Sequence, residues 1–287
     1  MIVVTGATGQ LGRRIVAALA ARLGGGHVVA SARDPGKARN LAALGVEVRH
    51  GDYEEPDSLE SAFAGATQVL LVSSNARATG GDTLAQHRRA IDAAHQAGVA
   101  RVLYTSHMAA SPASQFPPAR DHAATEAMLA ESGLRWTALR HGFHATSGLA
   151  MLGEGPRSDM VEAPSDGPVA WTAHDDLAEA DAAILADEGR FDGPTPPLTS
   201  SEALDFAALA GIAGDLLGRP VERWIVPDED MPARLAARGL PPRAAEMVMG
   251  YFHAARACEF ASVDPTLARL IGRDPTPMRE VMRKELG

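Results

Sequence analysis

Seven residues near the start, Gly6-Ala7-Thr8-Gly9-Gln10-Leu11-Gly12, combine small size with the spacing of a phosphate-binding turn. A diphosphate needs several backbone N–H groups at close range and a helix N-terminus aimed at it. Glycine lets the backbone approach without a Cβ in the way, and a third glycine allows tight packing of helix on strand. The apolar run 2–5 precedes the turn, and apolar residues at helical spacing (Leu11, Ile15, Leu19, Leu23) follow it. Strand, turn and helix in that order point to a dinucleotide.

The residues that end the second apolar run refine this reading. A site for NAD(H) usually has Asp or Glu there, accepting from the ribose 2′-OH. This chain has Ser31-Ala32-Arg33. A guanidinium can form two bonds to a 2′-phosphate, and Lys37 sits one turn further on, so NADP(H) is favoured over NAD(H). Asp34 could take the ribose role instead, but it lies beyond the arginine. Arg33→Ala is therefore expected to weaken NADPH binding much more than NADH binding. Asp52, with Tyr53, either holds the adenine and its ribose or caps the following turn. Ser73, Ser74 and Asn75 end a fourth run, Ser106 and His107 a fifth. Arg140, His141, Gly142, Phe143 and His144 follow a sixth. Polar residues at the carboxyl ends of such strands are the natural candidates for cofactor and substrate contacts.

Several chemistries are missing. Carbonyl reduction by a tyrosine–lysine pair needs Lys four residues after Tyr, so that the ammonium lowers the phenol pKa. Four residues beyond Tyr53, Tyr104 and Tyr251 stand Asp57, Met108 and Ala255, and the lysines are Lys37 and Lys284 alone. There is no Gly-x-Ser-x-Gly elbow and no metal-binding cysteine set. His141 and His144 lack a carboxylate cluster, so no metal is expected. Any proton donor must come from Ser106, His107, His141 or, on the helix that follows, His122.

The elements that must position these residues alternate. Strands are expected at 2–5, 27–33, 46–52, 67–74, 101–106 and 134–140. Helices are expected at 11–23, 35–44, 56–64, 82–97 and 119–132. This is an α/β chain with a Rossmann-type doubly wound parallel sheet. The segments 75–81 and 107–118 read as loops bordering the site, the first mobile and both lid-like. Beyond Gly142 the pattern loosens. Gly and Pro fill 148–170, helices are expected at 175–186 and 202–217, and a short strand at 223–227. The expected division is a cofactor-binding domain over 1–147, with 171–190 returning to it, and a smaller, mainly helical lobe over 148–287 that binds substrate.

Composition narrows the partners. A net charge of −9 repels nucleic-acid phosphates and anionic membrane surfaces, and no long basic run offsets it. Neither a signal-peptide pattern nor an apolar run of ~20 residues is present, which suggests a cytoplasmic protein. The single cysteine, Cys258, allows no internal disulfide. A homodimer is compatible with the sequence, which carries no signal for its own assembly.

MIVVTGATGQLG, SARDPGKA, GDY at 51–53, LLVSS at 70–74, YTS at 104–106, HAATEAMLAESG at 122–133 and LRHGF at 139–143 occur in this order. Together they resemble the NmrA-like atypical short-chain dehydrogenases, and within them the NADPH-dependent quinone oxidoreductases. The resemblance is firm to about residue 190 and looser through 263–282. It implies NADPH in the Gly6–Gly12 turn, Arg33 at the 2′-phosphate, and a quinone near Ser74, His107 and Phe143. The family often carries Lys after the Thr-Glu of its active-site helix, where this chain has Ala127. A quinone tolerates that loss, because its reduced oxyanion needs little help from an acid. The leading expectation is NADPH-dependent reduction of a quinone-like or aromatic conjugated carbonyl. A redox sensor that binds NADP(H) without turnover, and a reductase or isomerase of a specialised pathway, stay open beside it.

Overall fold

Short runs of aliphatic residues become buried strands, and the amphipathic segments between them become helices. In this computed structural model residues 1–155 and 158–286 are described. The strands are β1 (Ile2–Val4), β2 (Val28–Ala32), β3 (Glu47–His50), β4 (Gln68–Leu71), β5 (Arg101–His107), β6 (Arg135–His141), β7 (Phe143–His144), β8 (Met160–Ala163), β9 (Trp171–Thr172), β10 (Gly193–Pro194) and β11 (Glu222–Ile225). The helices are α1 (Gln10–Leu23), α2 (Arg39–Ala42), α3 (Pro56–Phe63), α4 (Thr83–Gln96), α5 (Pro117–Glu131), α6 (Ala145–Leu152), α7 (His174–Ala186), α8 (Phe206–Leu217), α9 (Met231–Ala237), α10 (Pro242–Arg256), α11 (Thr266–Ile271) and α12 (Met278–Leu286).

Among the described residues, seven strands form one sheet in the order β10-β6-β5-β4-β1-β2-β3. Val3 stands between Val29 of β2 and Val69 of β4, both parallel to it. The order reverses at β1, so the crevice outside the carboxyl ends of β1 and β4 is the ligand position of a doubly wound sheet. β2 is buried along its whole length, whereas β3, at the sheet edge, is half-buried or exposed. The six expected strands are present, and β10 adds a seventh, pairing Gly193 and Pro194 with Thr137 and Ala138. Two residues, one of them proline, give no periodicity from which to foresee a strand. β11 is the short strand expected at 223–227, and it pairs in parallel with β8, which lies in the Gly/Pro-rich stretch and was not expected.

The chain divides into two compact units. Unit 1 comprises Met1–His107, Asp121–Arg140 and His174–Pro196. Its core includes Val3, Val29, Phe63, Val69, Leu71, Val102, Tyr104 and Leu129, and α7 packs along α1. Unit 2 comprises Met108–Arg120, His141–Ala173 and Pro197–Gly287. It is mainly helical, with an aromatic core of Phe116, Phe143, Trp171, Phe206, Tyr251 and Phe260. The division differs from a single boundary at 147. Residues 108–120 and 141–147 fall in unit 2, because Met108, Phe116, Ala119 and Phe143 belong to its core. The returning segment begins at His174 rather than 171.

Candidate functional site

The first turn is built around three glycines that act for different reasons. Gly6 has φ +57°, a left-handed conformation that favours glycine. A Cβ on Gly12 would stand 2.3 Å from the Gly6 carbonyl oxygen, so α1 can start this close only without one. Gly9 caps α1 with no side-chain bond to its first turn, and its N–H donates to the Gly6 carbonyl at 2.9 Å. The amides that follow have no acceptor within the helix. Thr8 and Gln10 are exposed, while Leu11 and Gly12 are buried against unit 1. This is a cradle for an anionic group, and it fits a diphosphate.

Beyond β2, Arg33 is exposed. Asp34 is not available for a ribose in the same way. Its carboxylate caps the turn Pro35–Ala38 by accepting from the Gly36 N–H at 3.0 Å, and Lys37 Nζ lies 3.8 Å from it. Asp52 does the local job that the sequence left open: its Oδ1 accepts from the Glu54 N–H at 3.0 Å. The Tyr53 hydroxyl donates to the Val72 carbonyl at 2.7 Å and lies 2.6 Å from Thr5 Oγ1. It rivets the ends of β1 and β4, and burial holds its pKa far above the ordinary value.

The end of β4 is held from two helices. The Ser74 N–H donates to His87 Nε2 at 2.9 Å. With Nε2 accepting, the His87 proton sits on Nδ1 and donates to Thr125 Oγ1 at 2.8 Å, which donates to the Asp121 carbonyl at 2.9 Å. The segment 75–81 is not a plain mobile loop. It forms a 3-10 turn, Ala76–Thr79, and Arg77 grips the Asp121 carboxylate with Nε and Nη2. Asn75 stays exposed at its start, and the Ser73 N–H donates to Thr105 Oγ1 at 2.8 Å.

On β5 the Tyr104 phenol bonds His122 Nδ1 at 2.7 Å. Burial pushes that phenol's pKa well up, so it stays neutral. The His122 ring stacks on His107, with centroids 5.8 Å apart. Ser106 donates to Glu126 Oε1 at 2.6 Å. Arg140 forks onto the same carboxylate, at 3.1 and 2.7 Å. The structure thus gives Ser106 and Arg140 a shared buried counter-ion rather than a free acid and a free cation. Glu126 raises the Arg140 pKa further.

The remaining expected residues lie in unit 2. His141 is buried, and its carbonyl accepts from the Met108 N–H at 2.8 Å. A Cβ on Gly142 would meet Thr172 Oγ1 at 2.2 Å, which makes that glycine a packing requirement. Phe143, expected beside a substrate, is an inner member of the aromatic core, 5.0 Å from Phe260 and 5.2 Å from Tyr251. His144 is half-buried at the start of α6. The segment 107–118 is likewise less lid-like than expected, since Glu259 accepts from the Ser114 hydroxyl and from the Gln115 N–H.

His87, Thr125, Asp121 and Glu126 were not foreseen as site-shaping residues. All sit on helices, where a polar residue on a buried face is the signal, and that signal shows only once the faces are known. His87 makes a testable case. Burial brings its imidazole down to about 4, against about 6.5 in an unfolded chain. Well above pH 6.5, from about pH 7.5, neither state binds this proton. As pH falls from there towards 4, the unfolded chain takes it up and the native one does not, so stability declines. The full effect is on the order of 3 kcal/mol. Urea midpoints should fall through this window in the wild type, and His87→Gln should lose that part of the slope.

Among the described residues no cluster of three or more His, Cys, Asp or Glu could hold a metal ion, and no helix is long and apolar enough to cross a membrane. A family model described as NAD(P)H-binding matches residues 6–188. An NmrA-like family domain-containing oxidoreductase of Aspergillus flavus is 32% identical over 99% of this chain and 94% of its own. Quinone oxidoreductase 2 of Escherichia coli is 34% identical over 98% of this chain and 96% of its own. The NADPH complex of that enzyme superposes with a TM-score of 0.93 at 33% identity, covering both chains fully. Triphenylmethane reductase of Citrobacter sp., solved with NADP(H), gives 0.89 at 32% identity over 99% of each chain. With its glycine cradle at the reversal point of the sheet and these likenesses along its whole length, the chain belongs to the NmrA-like family of NAD(P)H-binding proteins.

Proposed function

We propose that this protein is an oxidoreductase that takes hydride from NADPH and delivers it to quinones or to similar conjugated, electron-poor acceptors. The observation that carries the reading is the cofactor cradle, with Arg33 rather than a carboxylate closing β2. Support comes from relatives named for quinone and triphenylmethane reduction, one of them solved with NADPH bound. Quinones and triphenylmethane cations share one property: the acceptor delocalises the charge it gains. Such acceptors need positioning more than a strong acid. That suits a chain with two lysines and no Tyr-x-x-x-Lys pair.

When bound, the cofactor supplies a hydride from its nicotinamide ring. The Gly6–Gly12 backbone holds the diphosphate, and Arg33 and Lys37 answer the 2′-phosphate. Ser73, Ser74 and Asn75, fixed by His87 and by the Arg77–Asp121 fork, line the passage towards the nicotinamide. Unit 1 carries these contacts, and we assign acceptor selection to unit 2. The accompanying proton is held at the stacked pair His107 and His122, where the Tyr104 phenol fixes His122 through its Nδ1.

The test is a panel of quinones, enones and simple ketones, followed by the loss of reduced-nicotinamide absorbance, beside a titration of NADPH binding. Turnover with quinones and not with simple ketones is expected. Tight NADPH binding without turnover on any acceptor would sink the reductase reading.

A further inference from the structure

Both ring nitrogens of His50 face oxygen atoms that only accept. Nδ1 lies 3.1 Å from the backbone carbonyl of Arg33, and Nε2 lies 3.1 Å from Glu55 Oε2. A neutral imidazole has one N–H to give, and an imidazolium has two. We infer that His50, as the imidazolium, sets the preference for NADP(H) over NAD(H) by fixing the turn that carries Arg33. This rests on the reading of Arg33 as the 2′-phosphate contact, and it adds a positioning residue to that site.

The sheet register makes the arrangement specific. His50 is paired with Ala32, the last residue of β2, and the Gly51 N–H donates to the Ala32 carbonyl at 3.1 Å. The carbonyl that His50 takes is therefore the first one beyond the sheet, where the ladder no longer supplies a donor. Fixing it fixes the peptide from which the Arg33 side chain departs.

The charged surroundings favour the imidazolium. Glu55 and Asp52 face His50 from the turn after β3, and the bond to Glu55 is the main cause that raises its pKa above the ordinary value, against a smaller desolvation cost. From the other side, Asp34 and Lys37 of the turn Pro35–Ala38 neutralise one another. Arg39 of α2 and Asp57 of α3 lie on the neighbouring helices. On β3 itself, Arg49 is engaged by Glu47.

When the proton leaves, one of the two contacts becomes lone pair against lone pair. Either the Arg33 carbonyl or the Glu55 carboxylate is released, and a positive charge is lost beside Arg33. The sign is fixed by the raised pKa. Preference is full below the His50 pKa and declines as pH rises through it. A phosphate monoester has its second pKa near 6, so above about pH 7 the ligand keeps a constant charge and the change belongs to the protein.

The experiment is calorimetric titration of NADP+ and NAD+ from neutral to moderately alkaline pH, with wild type, His50→Gln, His50→Arg and Arg33→Ala. In the wild type the ratio of affinities should fall about fivefold across the window, the order of one hydrogen bond's net contribution. His50→Gln should start low and stay flat, with NAD+ affinity unchanged. His50→Arg, which keeps its charge, should restore a high and flat ratio. Histidine NMR of the protein without nucleotide should place the His50 pKa above 6.5 and show it falling in Glu55→Gln. A His50→Gln protein with the wild-type ratio and slope overturns the inference. If Arg33→Ala removes the preference while His50→Gln does not, the inference alone fails. If Arg33→Ala leaves the ratio unchanged, the placement of the 2′-phosphate fails and takes the inference with it.

Discussion

Gly12→Ala is expected to lose NADP+ affinity on the order of 100-fold, which corresponds to about 2.7 kcal/mol and lies within the cost of relieving a steric clash of this kind. The added methyl group would stand 2.3 Å from the Gly6 carbonyl oxygen and 2.9 Å from its carbon. Both are backbone atoms, so no side-chain rotation relieves the clash. The turn must open or α1 must move away. Overpacking of this kind also removes about 1–3 kcal/mol of stability, so a fall in melting temperature should accompany the binding loss. Gly9→Ala is the comparison. Its Cβ would meet the Gly6 oxygen at 3.2 Å, which a few tenths of an ångström relieve. A titration in which both variants bind like wild type would show that the cradle does not hold the diphosphate.

The second large effect lies in Glu126. Its carboxylate is buried and receives Ser106 and both prongs of Arg140. Glu126→Ala leaves a partly buried guanidinium without its counter-ion and should lower stability by roughly 3 kcal/mol, the low end for a broken buried pair because Arg140 keeps some access to water. Glu126→Gln should cost less, since its amide oxygen can still accept from Ser106. Removing both charges, as Glu126→Leu with Arg140→Met, should recover much of the loss in a double-mutant cycle. That variant also decides what Arg140 does. Retained NADP+ affinity would make it a structural cation, and lost affinity would make it a cofactor contact as well. Chemical denaturation and binding titration on the same samples give both answers.

The legible part of this molecule was the part governed by local rules. The Gly6–Gly12 turn, the strand–helix alternation through β6 and the change in character after Gly142 follow from periodicity and glycine placement. Side chains whose roles depend on a partner distant in sequence were harder to read. Arg140 stood out only as a polar candidate at a strand end, and Glu126 on α5 holds it. Phe143 looked substrate-facing, yet its neighbours Trp171, Tyr251 and Phe260 come from far along the chain. Asp52 and Tyr53 were recognisable as candidates, but the local bonds they make needed the positions of Glu54 and Val72. His50 drew no notice as an exposed histidine on an edge strand, since what singles it out is the identity of its two acceptors.

Unit 1 is assembled from three separate stretches, the last of them His174–Pro196, and α1 packs against α7 from that last stretch. On a ribosome adding about 5–20 residues per second, the apolar stripe of α1 emerges on the order of ten seconds before its helical partner exists. Unit 1 therefore cannot finish before the first two of unit 2's three stretches have been made. A fragment cut at the end of β6 would carry every residue of unit 1 proposed to touch the cofactor and still lack α7, the helix that packs on α1. For this chain, separating the two units means cutting and rejoining the polypeptide rather than shortening it.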